Sequence, residues 1–246
     1  MKNKTLLYIK LITLNLLLVL VISTFVLTLN GRSLTTITAI FTSADLSNYS
    51  QVDTSVNLST ADISAIDIDV DSANIEICGY NQDGITIEYD DENTAQCLYI
   101  IENSTLKIKI NSDIANQGDL DIFIPNGLLH SLSIETSSGD VKVYSSGSKL
   151  EVVSVSGEIS LTDGYINNYI KTVSSNIYVY PEIDYIDSFN VSTVSGDCWI
   201  LSDDVSCKTN FSSASGNCVD ESTPDELAHE FAINYSSISG DLFIGQ

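Results

Sequence analysis

Apolar and polar residues alternate along most of the chain beyond residue 61. Ile66, Ile68 and Val70 are separated by single acidic residues, as expected for a β-strand with one buried face. The same alternation recurs in Ile85 and Ile87, in Leu106, Ile108 and Ile110, and in Leu120, Ile122 and Ile124. Residues 102–105 (Glu-Asn-Ser-Thr) lie between two such runs and are typical of a hairpin turn. No amphipathic helix of useful length is predicted, so we expect an all-β chain.

A short motif, Ser-Gly-Asp followed by alternating apolar residues, recurs in the second half of the chain. The corner residues of five copies are Ser138, Gly139 and Asp140; Ser156, Gly157 and Glu158; Ser195, Gly196 and Asp197; Ser215, Gly216 and Asn217; and Ser239, Gly240 and Asp241. A sixth copy has Ser174, Ser175 and Asn176, and an isolated copy begins at Ser72. From the copy at Ser138 onward, the spacings are 18, 18, 21, 20 and 24 residues.

These spacings predict a parallel β-solenoid, also called a β-helix. A strand–helix–strand unit needs about 30 residues, whereas about 20 residues make one coil of two short strands. The Ser-Gly-Asp motif is the corner between those strands. Successive coils would stack about 4.8 Å apart, in the order of the sequence, and bury apolar residues against each other.

Two apolar columns precede each corner. Five residues before the glycine position stand Ile134, Val152, Ile170, Val191, Phe211 and Tyr235. Two residues before it stand Ser137, Val155, Val173, Val194, Ala214 and Ile238. If both columns face the core, the apolar alternation slips by one residue between them, which predicts a bend or bulge.

The corner residues themselves have structural and functional interpretations. The serines could form a hydroxyl ladder for glycans, but we favour hydrogen bonds that satisfy backbone groups at a tight corner. The glycines indicate a position where a side chain would collide or where φ is positive. The Asp, Glu and Asn column could bind calcium, yet these side chains also bond to their own turns. We favour the second interpretation, with diffuse cation attraction only and no dedicated metal or cofactor site.

Five cysteines leave at least one thiol unpaired within the chain. Stacking in sequence order would place Cys198 and Cys218 at equivalent inward positions of adjacent coils, as a thiol ladder or a disulfide. Cys78 and Cys97 are a second candidate pair, and the sequence does not decide between these alternatives. No CxxC pair is present, which argues against a zinc site.

The amino terminus is typical of a membrane anchor. Lysines at positions 2, 4 and 10 precede an apolar run over residues 11–29, which as a helix would span roughly 28 Å. A cleavable signal peptide is the alternative, but the small residues at 42–44 lie far beyond the run. We therefore predict a cytoplasmic tail (1–10), a transmembrane signal anchor (11–29), a polar linker (30–60) and an extracellular solenoid domain (61–246).

Charge is distributed very unevenly. All 33 acidic residues lie at or beyond Asp45, together with six lysines and no arginine, so this part carries 6 − 33 = −27. A field of this sign repels phosphate polymers, which excludes nucleic acid as a partner. The acidic segment around residues 222–226 is a candidate contact loop. The last strand has no recognisable cap, so self-association at this end is expected.

The Ser-Gly-Asp motif, with the strand and proline at residues 122–125, resembles a widespread bacterial family of unknown function whose members are described as adhesins. The resemblance runs from about Ala61 to Gln246. It implies a β-solenoid behind a membrane segment, and some family members accompany cell-envelope stress systems. The family has no established catalytic residues to transfer. Ser175 and Asp220 depart from the motif, which affects local corner geometry.

Three functions follow as hypotheses. The first is a non-enzymatic surface module that binds a glycan or a protein, or acts as a scaffold. The second is a cell-envelope stress sensor that works through membrane partners. The third, a β-helical polysaccharide lyase, is disfavoured because such enzymes need a strong base beside clustered carboxylates and the outer part has no arginine. We therefore expect no enzyme activity.

Overall fold

The computed structural model describes residues 46–81, 83–90, 95–111, 118–181, 186–202, 206–223 and 230–245. Every regular element within these residues is a β-strand, which confirms the all-β prediction. No helix long and apolar enough to span a bilayer occurs in this part of the chain. The predicted tail and anchor (1–10 and 11–29) lie outside the described residues.

The strands follow the alternation seen in the sequence. The first nine are β1 (Ser50–Val52), β2 (Ser55–Leu58), β3 (Ala65–Val70), β4 (Asn74–Tyr80), β5 (Ile85–Asp90), β6 (Gln96–Glu102), β7 (Thr105–Asn111), β8 (Asp119–Pro125) and β9 (Ser131–Thr136). The next nine are β10 (Val141–Ser154), β11 (Glu158–Thr172), β12 (Asn176–Pro181), β13 (Ser188–Ser192), β14 (Cys198–Ile200), β15 (Ser206–Ser213), β16 (Cys218–Asp220), β17 (Glu230–Ser237) and β18 (Leu242–Ile244).

These strands form two hydrogen-bonded ladders that share β10 and β11. The first ladder has the order β2, β5, β8, β4, β10, β11, β12, β14, β18 and β16. The second has the order β1, β6, β7, β3, β9, β10, β11, β13, β17 and β15. Pairings that involve β1, β2, β5 or β6 are antiparallel, and all others are parallel.

The parallel pairings have the register that the repeat predicts. Val141 pairs with Ile159, and Ile159 pairs with Ile177, so equivalent residues of successive motifs lie side by side. The isolated copy joins the same column, because Ile75 pairs with Val141. Strands β10 and β11 each begin in the first ladder and end in the second, and thereby link the two.

Two consecutive strands, one in each ladder, form what we call a layer. The layers are not stacked in the order of the sequence. The final layer, β17 with β18, lies between β13 with β14 on one side and β15 with β16 on the other. The expected adjacency of Cys198 and Cys218 is therefore wrong, since Leu242 pairs with both. The outermost strands at this end are β15 and β16, not the last strand of the chain.

Inward-facing side chains of both ladders form one hydrophobic cluster. The apolar column five residues before the glycine position belongs to this cluster; Ile134 and Val152, for example, are fully buried. The column two residues before the corner does not, because Val155 is 50% and Val173 is 38% exposed. The inward position between them is three residues before the glycine position, where Thr136, Ser154, Thr172 and Thr193 are buried. Alternation thus continues without a slip, and the predicted bulge is not needed.

The amino-terminal end of the described domain is antiparallel. Strands β6 and β7 form the predicted hairpin, with Asn103 and Ser104 at φ 52° and 61° in its turn. Positive φ at both central residues is the geometry that matches the twist of a two-residue hairpin. Strands β1 and β2 pair with β6 and β5 and lie within the predicted linker of residues 30–60. The compact unit begins at Tyr49.

Candidate functional site

The corner glycines stack directly on one another. A Cβ atom on Gly157 would collide with the carbonyl oxygen of Gly139, and one on Gly196 would collide with that of Ser175. The same backbone collision occurs at Gly139, Gly216 and Gly240. Positive φ applies to only two of them, Gly139 at 110° and Gly157 at 111°. Close approach of neighbouring layers is therefore the general reason for glycine here.

Ser175, the exception in the glycine column, is accommodated by an inward side chain. It is fully buried, and its backbone N–H donates to Thr172 Oγ1 at 3.0 Å. Thr172 Oγ1 in turn donates to Ser175 Oγ at 2.6 Å. This corner consequently keeps the stacking of its neighbours, and the bond from its N–H to a hydroxyl three residues earlier recurs at Gly216 and Gly240.

The corner serines bond to the neighbouring layer. Ser156 Oγ donates to the Ser137 carbonyl at 3.4 Å, and Ser174 Oγ donates to the Val155 carbonyl at 3.3 Å. Hydroxyl side chains three residues before the glycine position also bond to corner backbone groups; Ser154 Oγ, for example, donates to the Ser156 carbonyl at 2.8 Å. At these corners the hydroxyl groups are used for bonds to the backbone.

The acidic and amide column forms a second chain of bonds between layers. Asp140 Oδ1 accepts from the backbone N–H of Glu158 at 2.9 Å, and Asp197 Oδ1 accepts from that of Asp241 at 2.9 Å. Asp241 Oδ1 accepts from the N–H of Asn217 at 2.7 Å. We had expected these side chains to bond to their own turns, but Asp140, Asp197 and Asp241 bond to the next layer instead. In the described part of the chain, no group of three or more His, Cys, Asp or Glu residues is arranged to hold a metal ion.

A shallow groove of about 350 Å³ runs across the outer face of the second ladder. It crosses the last part of β11 and then β13, β17 and β15, four strands that are neighbours in the ladder. Two outward columns line it. One holds Tyr169, Asn190, Asn234 and Asn210, and the other holds Lys171, Ser192, Ser236 and Ser212. We call this feature the polar groove.

Three asparagines form an amide ladder along the polar groove. Asn210 Nδ2 donates to Asn234 Oδ1 at 2.8 Å, and Asn234 Nδ2 donates to Asn190 Oδ1 at 2.9 Å. Asn190 Nδ2 donates to the Asn168 carbonyl at 3.2 Å and to Ser188 Oγ at 3.3 Å. An amide has two N–H groups and two acceptor positions, so Asn234 and Asn210 keep a donor and an acceptor for a ligand.

The neighbouring serine row provides hydroxyl groups. Ser192, Ser236 and Ser212 are exposed, and none of them makes a side-chain hydrogen bond to the described residues. Each hydroxyl can both donate and accept. The serine row and the amide ladder together present an uncharged surface with both kinds of hydrogen-bonding group.

Two lysines at one end of the groove share one carboxylate. Lys149 and Lys171 Nζ lie 3.0 and 3.5 Å from the Glu151 carboxylate. Partial burial alone would raise the pKa of Glu151, but the two ammonium groups lower it below its usual value. Lys149 Nζ also lies 5.5 Å from the centre of the Tyr169 ring. Lys149 approaches the ring from β10, so the side of the Tyr169 ring that faces β13 is open to the groove.

A second groove, also of about 350 Å³, lies on the outer face of the first ladder near its amino-terminal end and is acidic. Its lining includes Glu76, Asp119, Asp121 and Asp140 with Lys142. Partial burial raises the pKa of Asp121, and the neighbouring carboxylates raise it further. This groove is a region of unfavourable charge, without an arrangement of ligands for a metal ion.

The raised pKa of Asp121, caused first by burial and then by the neighbouring carboxylates, gives a pH-dependent prediction. Because the pKa of Asp121 is raised on folding, its charge opposes folding at neutral pH, and the penalty disappears as pH falls below its ordinary range. We expect Asp121→Asn to raise the free energy of unfolding at pH 7 by about 0.5 kcal/mol, in the range of exposed charge pairs. Urea unfolding at pH 7 and at pH 3 measures the difference. A gain of equal size at both pH values would contradict the electrostatic explanation.

Aromatic side chains stack on the outer face of the first ladder. The ring centres of Tyr178 and Trp199 are 4.8 Å apart, and those of Trp199 and Phe243 are 5.5 Å apart, each pair within 9° of parallel. The rings therefore contact each other through their faces, and mainly their edges point outward. We assign this stack to stabilisation of neighbouring layers, not to a flat binding platform.

All five cysteines are free thiols, so neither candidate disulfide is present. Burial raises the pKa of Cys97 to about 12, and burial also raises the pKa of Cys198. Cys218 is exposed, because it lies in the outermost layer. Its pKa is raised as well, first by partial desolvation and then by Asp220.

These environments predict the order of thiol reactivity. In the folded chain, iodoacetamide should label Cys218 at least about tenfold faster than Cys97 or Cys198, since only the exposed thiol is accessible without local unfolding. Mass spectrometry of quenched time points measures the three rates. Denaturant should bring the rates together, and equal rates before denaturation would contradict the layer order.

No family model matches the chain, and no curated protein matches it. Among solved structures, it is similar to a protein from Clostridium sporogenes described as a cell adhesion protein, with 13% identity, 80% of this chain and 98% of that chain covered, and a TM-score of 0.43. It is also similar to a protein from Parabacteroides distasonis described as a lipid binding protein, with 20% identity, 80% and 94% coverage, and a TM-score of 0.36. Membership of the adhesin-like family stays a prediction from the motif.

The polar groove was not predicted from the sequence, although the alignment on the corner contains it. Tyr169, Asn190, Asn234 and Asn210 all lie six residues before the glycine position of their motifs. The useful signal is the recurrence of one amide residue at one offset in three motifs. By contrast, the predicted corner residues lie together in columns but are occupied with bonds between layers.

Proposed function

We propose that the chain is a non-enzymatic, membrane-anchored extracellular β-solenoid that acts as an adhesin-like binding or scaffold module. The solenoid assignment is supported by parallel pairing of equivalent residues in successive motifs, such as Val141, Ile159 and Ile177. The location at the cell membrane is supported by the lysines and apolar run of residues 2–29, which would orient the acidic domain outward.

The observation that carries a binding function is the polar groove. It crosses four neighbouring strands on a face turned away from the core, and it is lined by exposed side chains with free hydrogen-bonding capacity. A repetitive fold offers such extended surfaces more readily than deep pockets. The partner is therefore a surface glycan or a protein that lies along the groove.

A binding function without catalysis agrees with the distribution of reactive groups. The corner carboxylates accept backbone N–H groups, and the acidic part of the chain has no arginine to act as a strong base. The thiols of Cys97 and Cys198 are buried with raised pKa values, which makes them poor nucleophiles. The charge of the acidic part, 6 − 33 = −27, disfavours nucleic acid.

The proposal is tested by cross-linking on intact cells. Cells that carry the full-length tagged chain are treated with a membrane-impermeant cross-linker, and the purified products are identified by mass spectrometry and glycan analysis. We expect extracellular proteins or surface glycans. Recovery of membrane regulators alone would replace the proposal with the envelope-stress alternative. Protection of the acidic domain from protease added to intact cells would contradict its extracellular location.

A further inference from the structure

We infer that the polar groove binds a neutral glycan chain, laid across β11, β13, β17 and β15. This inference rests on the proposed surface-binding function and names the ligand class. Its first support is the chemistry of the lining. Sugar hydroxyls donate and accept hydrogen bonds, and both the amide ladder and the serine row offer each kind of partner.

The second support is the absence of charged side chains from the part of the groove on β13, β17 and β15, in a strongly acidic domain. Lys171 is the charged residue that lines the groove, and its ammonium group lies 3.5 Å from the Glu151 carboxylate. A phosphate, sulfate or carboxylate on the ligand would find no cation along β13, β17 and β15, where the described lining residues are uncharged. An uncharged ligand needs none, and the surrounding negative field does not repel it.

The third support is Tyr169 at the end of the groove. Its side chain is 37% exposed, and Lys149 lies over it from the β10 side. The ring side toward β13 adjoins Asn190, which is the first member of the amide ladder. An aromatic ring beside hydrogen-bonding groups can take the apolar face of a sugar ring while the amides take its hydroxyls.

A peptide fits this groove less well than a glycan. An extended peptide binds most readily at a strand edge, where backbone N–H and C=O groups are unpaired. The groove lies on a face, and β13 and β17 have strand neighbours on both sides. An amphipathic helix would need a stripe of large apolar side chains, whereas six of the eight residues in the two outward columns are asparagines and serines.

The test is affinity electrophoresis of the full-length chain in mild detergent, through gels that contain a defined polysaccharide. The neutral probes are dextran, xyloglucan and galactomannan, and the anionic probes are dextran sulfate and polygalacturonate. We expect at least one neutral polysaccharide to retard the chain. Tyr169→Ala should raise the dissociation constant about tenfold, which is the size of one lost ring contact.

The matched control is Tyr180→Ala. Tyr180 is 45% exposed on β12, in the first ladder, and does not line the groove. Its replacement should leave binding unchanged. A second variant, Asn210→Asp, places a carboxylate at the exposed end of the amide ladder and should also weaken binding. Thermal unfolding of each variant checks that the fold is retained.

Several results would overturn the inference. They are binding of anionic probes alone, equal loss of binding in both tyrosine variants, and absence of retardation by every neutral probe. If neutral probes fail while cross-linking on cells recovers an extracellular protein, the surface-binding function stands and the glycan assignment falls. If cross-linking recovers membrane regulators alone, the proposed function itself falls.

Discussion

Replacing Gly157 with alanine should lower the free energy of unfolding by about 3 kcal/mol, because two separate costs coincide at this corner. Its φ of 111° is unfavourable for any residue with a Cβ atom. That Cβ would also collide with the carbonyl oxygen and carbon of Gly139 in the neighbouring layer. Backbone atoms held in a parallel ladder cannot rotate away, so the layers would have to separate locally.

The measurement is thermal and urea unfolding followed by circular dichroism. A loss of this size corresponds to a decrease in Tm of roughly 6–12 °C for a domain of this length. Gly127→Ala is the matched control, since Gly127 has φ 70° but no atom within 4 Å of an added Cβ. It should cost about 1 kcal/mol. Equal losses in the two variants would show that close approach between layers is not the reason for the corner glycines.

The sequence predicts the content of each layer better than the order of the layers. Alternation at Ile66, Ile68 and Val70 identifies a strand and its buried face correctly, because period-two burial is a property of the strand itself. The register between motifs is also predictable. The corner glycines must lie side by side for neighbouring layers to approach closely, and the acidic side chains must reach the backbone N–H groups of the next layer. Both features depend on local geometry that recurs in every layer.

Layer order is a different problem. Leu242, Cys198 and Cys218 occupy equivalent inward positions, and each could pack on either of the others. Apolar contacts are not directional, so the pattern alone does not select a neighbour. The chain passes over a layer between the motifs at Ser195 and Ser215, yet their spacing of 20 residues lies within the range of motifs in neighbouring layers. Spacing therefore did not reveal the exchange of the last two layers.

The candidate site was missed for a related reason. Outward residues such as Asn234 and Asn210 are not required by the core, so hydrophobic pattern analysis passes over them. Their bond becomes meaningful only once β17 and β15 are known to be neighbours. The two residues lie 24 positions apart in the chain. The column of amides follows from their common offset before the corner, whereas the bonding partner of each amide depends on the layer order.

Leu242→Asp tests that layer order directly and should have the largest effect of all. Leu242 is fully buried and pairs with Cys198 on one side and Cys218 on the other. A carboxylate there would be buried without a cation, which costs about 4 kcal/mol. If the layers followed the sequence, residue 242 would lie in the outermost layer, where water could hydrate the charge at little cost.

Hydrogen exchange should show which strands lose amide protection in Leu242→Asp. Each layer contacts only its neighbours, so the loss of protection should be confined to β13–β18, while β3, β4, β7 and β8 keep theirs. Val219→Asp is the control, because Val219 is half-buried on the outward side of the outermost strand β16, and it should change stability by less than about 1 kcal/mol. Uniform loss of protection across both ladders would argue against nearest-neighbour stacking. Tolerance of aspartate at position 242 would place the last strand at the end of the stack, with Cys198 and Cys218 adjacent.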